Sequence, residues 1–142
     1  MRQDSRLSVA LHVLLHMGEL GRSVTSEQLG PLLKTNPVVL RRTLSGLREA
    51  GIVRSEKGHG GGWSLGRELS SVTLQDVYDA LGTVTPFGIG HRQARPRCPL
   101  EQAVNHVVTG ALDEAEAVLM KRLRSVSVAS LVKTALARRM AS

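Results

Sequence analysis

A chain of 142 residues holds one ordinary domain, or a small domain carrying a long appended element. Its 42% apolar and 22% charged residues are those of a folded chain, and no apolar run reaches bilayer-spanning length, so no membrane partner is expected. Nineteen Lys+Arg against twelve Asp+Glu leave a formal +7 that favours a polyanion, while Trp63, Tyr78 and Phe87 are too few aromatics for single-strand stacking platforms, which puts duplex DNA first.

Residues 4 to 20 carry Leu7, Ala10, Leu11 and Leu14 at helical spacing, with Gly18 and Gly21 as a stop. The charges in MRQDSRLSVALHVLLHMG and the lack of a small-residue cleavage site make this an amphipathic helix rather than a signal peptide, so the cytoplasm is the expected location. Thr25 and Gln28 form a capping box for a short helix from about 26, which Pro31 should kink. Asn36-Pro37 starts a third helix to about 49, because Asn caps free amides and Pro loses nothing in a first turn. Its seam is Leu40, Leu44 and Leu47, and Gly51 closes it. The short connection LKTN makes this pair a helix-turn-helix.

A period near two then sets in over 52–56 and 62–66, which predicts an antiparallel hairpin with KGHGG between its strands, and so a winged helix. In VTLQDVYDALG, Thr73 caps, Asp76 completes the box, Val72 staples to Val77, and Gly82 ends a fourth helix. Residues 83–97 are rich in Gly, Pro and Arg and read as a loop. From Pro99, Ala103, Val104, Val107, Ala111, Leu112, Ala115, Val118 and Leu119 recur at threes and fours. A helix to Arg124 would run about 39 Å, longer than one small domain needs, and calls for a second copy to pack against. A last helix points Val128, Leu131, Val132, Ala135 and Leu136 inward. The expected architecture is therefore mostly α with a small β-hairpin. A winged helix-turn-helix domain with its following helix spans 1–82, a linker or sensor loop 83–98, and a helical dimerisation region 99–142.

The third helix offers Val38, Arg41, Arg42, Ser45 and Arg48 away from its seam, the make-up of a recognition helix, since the arginine fork matches the O6 and N7 acceptors of guanine. An isolated helix with these residues would be an ordinary solvated face; the capped, short-turn setting and the following hairpin reverse that balance. At the hairpin tip, Lys57 and His59 supply charge for a narrow groove, and glycines such as Gly60 and Gly61 let backbone approach phosphate. GHGGG lacks the Lys-Ser/Thr ending of a phosphate loop and the strand-to-helix setting of a dinucleotide site, so an enzyme is not supported. His12 and His16 lie four apart, with no third metal ligand implied, and read as solvated. Cys98, the one cysteine, agrees with a reducing compartment. It stands in RPRCPL, where a helix start and Arg95 and Arg97 favour thiolate; an accessible thiol of this kind suits an oxidant sensor, and equally a plain cap-region cysteine.

The stretches VTSEQL, TNPVVLRRTLSGLREAGIVRSEKGHGGGWSL, VTLQDVYDALG and the CPL opening the long helix resemble the Rrf-type winged-helix transcription regulators, the IscR, NsrR and CymR-like group. The most specific match is LREAGIV followed at fixed distance by GxGGGW, with Trp63 in the aromatic place. The resemblance implies a homodimeric regulator, a repressor, with crossing long helices that set two winged helices on a near-palindromic DNA operator. It places Asn36, Val38, Val39, Arg41 and Arg42 at the major groove or its phosphates, and Lys57 with the glycine tip in the minor groove. Arg41 stands where cluster-binding relatives have an acidic residue, so their operator does not carry over. Those relatives hold iron–sulfur with three cysteines where residues 83–98 offer only Cys98, so no cofactor is expected and the effector is a thiol oxidant, a small molecule or another protein. The alternative is a winged-helix protein-interaction module without specific DNA binding.

Overall fold

A computed structural model describes residues 4–57, 62–82, 87, 89 and 95–141. In chain order the elements are α1 (Arg6–Leu20), α2 (Ser26–Leu33), α3 (Pro37–Glu49), β1 (Val53–Ser55), β2 (Trp63–Leu65), a single 3-10 turn (Leu69–Ser71), α4 (Leu74–Ala80), α5 (Pro99–Arg124) and α6 (Val128–Ala141). The winged helix-turn-helix and the long following helix are both present.

Local chemistry sets the starts of α2, α3 and α4. The Gln28 amide donates to Thr25 Oγ1 at 3.2 Å while the Thr25 amide donates to Gln28 Oε1 at 2.9 Å, and Thr73 with Asp76 repeats that reciprocal box before α4. Asn36 Oδ1 accepts the Val38 amide at 2.8 Å, which satisfies one of the donors a helix start leaves free. α2 runs through Pro31 as one helix of 8 residues. It closes on Lys34, whose φ of 48° is the left-handed turn of the helix-turn-helix.

α1 is rotated from its expected orientation. The fully buried residues are Ala10, Val13, Leu14 and Met17, while Leu7 and Leu11 are only partly covered. α3, α6, α4, α2 and β2 all pack on α1, so a wide arc of it is covered rather than the leucine-rich stripe alone. α3 buries the expected Leu40, Leu44 and Leu47, and also Thr43, whose hydroxyl donates to the Val39 carbonyl at 2.8 Å.

The hairpin pairs Val53 with Leu65, Arg54 with Ser64 and Ser55 with Trp63. One further hydrogen bond at each end, from the Glu56 amide to Gly62 O (2.7 Å) and from the Gly66 amide to Ile52 O (2.8 Å), carries the ladder over 52–56 and 62–66. A second contact was not foreseen: Val24, just before α2, pairs antiparallel with Trp63. The Val24 amide donates to Trp63 O at 2.9 Å and the Trp63 amide to Val24 O at 2.7 Å. This approach leaves no room at the neighbouring position, since a Cβ on Gly62 would collide with the Val24 carbonyl.

α5 leaves the winged helix as a rod of 26 residues. Residues 99–142, expected to serve as one dimerisation region, meet two environments, because the chain returns to the amino-terminal unit after α5. The Leu74 amide donates to Val126 O at 2.9 Å and the Val128 amide to Val72 O at 2.8 Å, and Val128 is fully buried. α6 then leans on α1, with Arg139 donating to Glu19 Oε1 at 2.8 Å. Of its five expected inward residues, Leu131 and Val132 are half-buried and Ala135 and Leu136 are exposed. The outer turns of α6 touch α1 along one edge only, and Leu15, Val132, Ala135 and Leu136 line an apolar groove between them. Among the described residues, no helix is long and apolar enough to cross a membrane.

Gly62→Ala should lose about 1–3 kcal/mol in chemical denaturation, because backbone must move to admit the methyl group. Gly30→Ala, where an added Cβ meets nothing within 4 Å, should instead gain up to about 1 kcal/mol. Equal effects at the two sites would contradict the close Val24 approach.

Candidate nucleic-acid interface

The elements that fix the core also sort the third helix into two faces. With Leu40, Thr43, Leu44 and Leu47 turned inward, Asn36, Val38, Arg41, Arg42 and Arg48 are exposed, and Val39 and Ser45 are half-buried at the margin. Exposure of Val38, at 51%, puts an apolar side chain in water at the first turn of the helix, beside the Asn36 cap. Arg41 and Arg42 make no ion pair among the described residues, so their guanidinium groups are available to an acceptor outside the chain. The surface combines two exposed cations with one apolar residue at a helix start, a set that fits phosphate and base edges.

Lys57 is exposed at the end of the described part of the first hairpin arm. His59, Gly60 and Gly61 lie outside the described residues. Within the described part, Gly62 serves packing against Val24. Trp63 is half-buried and packs against the core. Arg48 is exposed like Arg41 and Arg42, and its guanidinium also lies 5.9 Å from the centroid of the Trp63 ring. Near the same edge, the Ser23 hydroxyl donates to Glu56 Oε2 at 2.8 Å, joining the α1–α2 connection to β1. The Val24 bridge and the Ser23 contact escaped the sequence reading because single-residue contacts leave no periodic signal.

α5 carries two adjacent stripes. At 100° per residue, Glu101, Asn105, Val108, Leu112, Glu116, Leu119 and Leu123 share one side and are half-buried or buried. α5 packs against α4. There burial first, and then the Glu116 carboxylate, push the Tyr78 hydroxyl above its usual range. The other stripe holds Leu100 (77% exposed), Val104 (59%), Val107 (68%), Ala111, Ala115 and Val118 (72%). The single apolar seam expected from sequence therefore divides, with Leu112 and Leu119 on the covered side and the rest open.

Cys98 is fully exposed at the cap position of α5. Its thiol does not meet the geometry of a capping hydrogen bond, yet the backbone amides of Glu101 and then Leu100 hold it below the ordinary thiol range. The expected help from Arg95 and Arg97 is not among the causes; both are exposed. His12 is exposed, and His16 Nδ1 lies 4.0 Å from Glu19 Oε2.

A family model described as Rrf2, iron-dependent transcriptional regulator, matches residues 3–134. A Lactococcus lactis subsp. lactis (strain IL1403) protein named as an HTH-type transcriptional regulator, YffB, is 31% identical over 142 residues, covering 91% of this chain and 85% of that one. A crystal structure described as that of a DNA binding protein superposes with a TM-score of 0.72 at 27% identity, over 89% of this chain and 98% of its own. T. potens IscR shares the fold, with a TM-score of 0.70 at 17% identity over 95% of this chain and 88% of that one.

The lowered thiol predicts that Cys98 alkylation by iodoacetamide rises with pH through a midpoint below that of a free cysteine peptide, since the amides favour the reactive thiolate. A midpoint at or above the peptide value would contradict a thiol held low by the Glu101 and Leu100 amides.

Proposed function

Because the chain belongs to the Rrf2 family of DNA-binding transcription regulators, we propose that it works as a cytoplasmic homodimer that represses by occupying a near-palindromic operator. The open apolar stripe of α5 carries this reading. Leu100, Val104, Val107 and Val118 face water on a helix of about 39 Å, and burying each would contribute about 1.5–3 kcal/mol. A second α5 laid across the first covers both stripes at once and sets two winged helices about a dyad. Asn36, Val38, Val39, Arg41, Arg42 and Ser45 would meet the major groove and its phosphates, and Lys57 with His59, Gly60 and Gly61 the adjoining minor groove.

Cys98 is the proposed switch. Its thiolate character and exposure suit oxidation to a sulfenic acid or a disulfide with a second thiol, and its place at the start of the dimer helix would pass the change to the spacing of the two wings. We assign no iron–sulfur cluster to the chain, because one thiolate is short of the donor set such clusters take. A sulfide-containing, visibly absorbing protein after anaerobic purification would overturn that assignment.

Val107→Glu should yield a monomer on a sizing column and lose the paired, dyad-related footprint of the parent; an unchanged dimer would place the interface elsewhere. Arg41→Ala should relax base preference at one position and cost about 1–3 kcal/mol there, whereas Lys57→Ala should weaken all duplexes and lower the salt slope by about one. Uniform losses for both would reject this division of roles. Cys98→Ser should bind operator and ignore peroxide; release like that of the parent would exclude the thiol as the switch.

A further inference from the structure

We propose that Arg48 is a positioning residue that seats the wing against the recognition helix through Trp63, and not a reader of base or phosphate. This rests on the reading of α3 and the hairpin as the DNA-contacting surface. Recognition helices place their amino-terminal residues on base edges, and Arg48 lies in the last turn, roughly 16 Å along the axis from Pro37. The guanidinium stands 5.9 Å from the Trp63 centroid, within the range at which a cation is drawn to the negative face of an indole ring.

The seat itself is rigid. Trp63 exchanges both backbone hydrogen bonds with Val24 and pairs with Ser55 of β1, so β2 is held from two sides at this residue. Gly62 lies so close to the Val24 carbonyl that an added Cβ would collide with it, which shows how tightly the strand sits against the segment leading into α2. Arg48 adds a third tie, from the carboxy-terminal end of α3 to the same residue. The planar, weakly hydrated guanidinium suits a cation–π contact with the indole better than a lysine ammonium would.

A tie of this kind acts by raising the share of molecules whose wing already has its DNA-bound orientation. Its loss can weaken binding by no more than the stack itself is worth, roughly two- to fivefold for an exposed pair. A direct phosphate contact would behave differently, because each neutralised phosphate adds about one unit to the slope of log affinity against log salt.

The test is a double-mutant cycle with Arg48→Gln and Trp63→Leu, read as operator affinity over a salt series. Trp63→Phe serves as the conservative variant, and circular dichroism checks folding. The proposal expects a two- to fivefold loss for Arg48→Gln at unchanged salt slope, no further loss on adding it to Trp63→Leu, and retention of most of the coupling with Trp63→Phe. A drop of about one in salt slope, or the same loss in both Trp63 backgrounds, would assign Arg48 to the DNA and overturn the proposal. If the parent shows no salt-dependent duplex binding, the DNA-contacting surface falls first and takes the positioning role with it. Trp63 is the chain's single tryptophan, so its emission should shift in Arg48→Gln, and unchanged emission would also count against the stack.

Discussion

The exchange of two backbone hydrogen bonds between Val24 and Trp63 ties the hairpin to the helix-turn-helix. A two-stranded hairpin alone is marginal in water and would swing about its base. Val24 adds a partner on the open side of β2, and because Thr25 is the cap of α2, that partner belongs to the helix-turn-helix itself. The wing is thereby indexed to the pair of helices that carry the exposed arginines. Gly62 follows from the same constraint, since only a residue without a side chain tolerates the carbonyl so close.

The other half of the molecule obeys a different constraint. α5 covers one of its two stripes with its own chain and leaves the other in water, while the turn after it returns to the core through Val126 and Val128. That return pins the carboxy-terminal end of the rod to the start of α4 and leaves the Cys98 end as the far one. Cys98 thus stands at the opposite end of α5 from the turn that is hydrogen-bonded to the start of α4. The open stripe is a contiguous line of apolar side chains, the kind of surface that folded chains cover by association.

What the sequence made legible was local. Thr25 with Gln28, Asn36 with Pro37, and Thr73 with Asp76 announce helix starts because capping is decided within four residues. The hairpin was readable in place, since its strands at Val53–Ser55 and Trp63–Leu65 fall inside the expected 52–56 and 62–66, although their burial does not alternate. Three features were not readable. α1 turned away from its leucine stripe because several neighbours, α3, α6 and α4 foremost, share its surface. The apolar residues of α5 fell on two faces because partial cover by α4 cannot be inferred from spacing. The Val24 bridge involves one residue on each side and leaves no period at all. Arg48 illustrates the limit at the site: on the helix it belongs with Arg41 and Arg42, and only the position of Trp63 sets it apart.

Amide hydrogen exchange tests the central constraint most directly. If the wing and the helix-turn-helix form one body, the amides of Val24 and Trp63 should be protected to within about tenfold of the Leu44 and Leu47 amides in α3, and all four should respond together to mild denaturant. Exchange of Val24 and Trp63 at near loop rates, with α3 still protected, would mean that the wing moves independently and that the coupling described above does not exist.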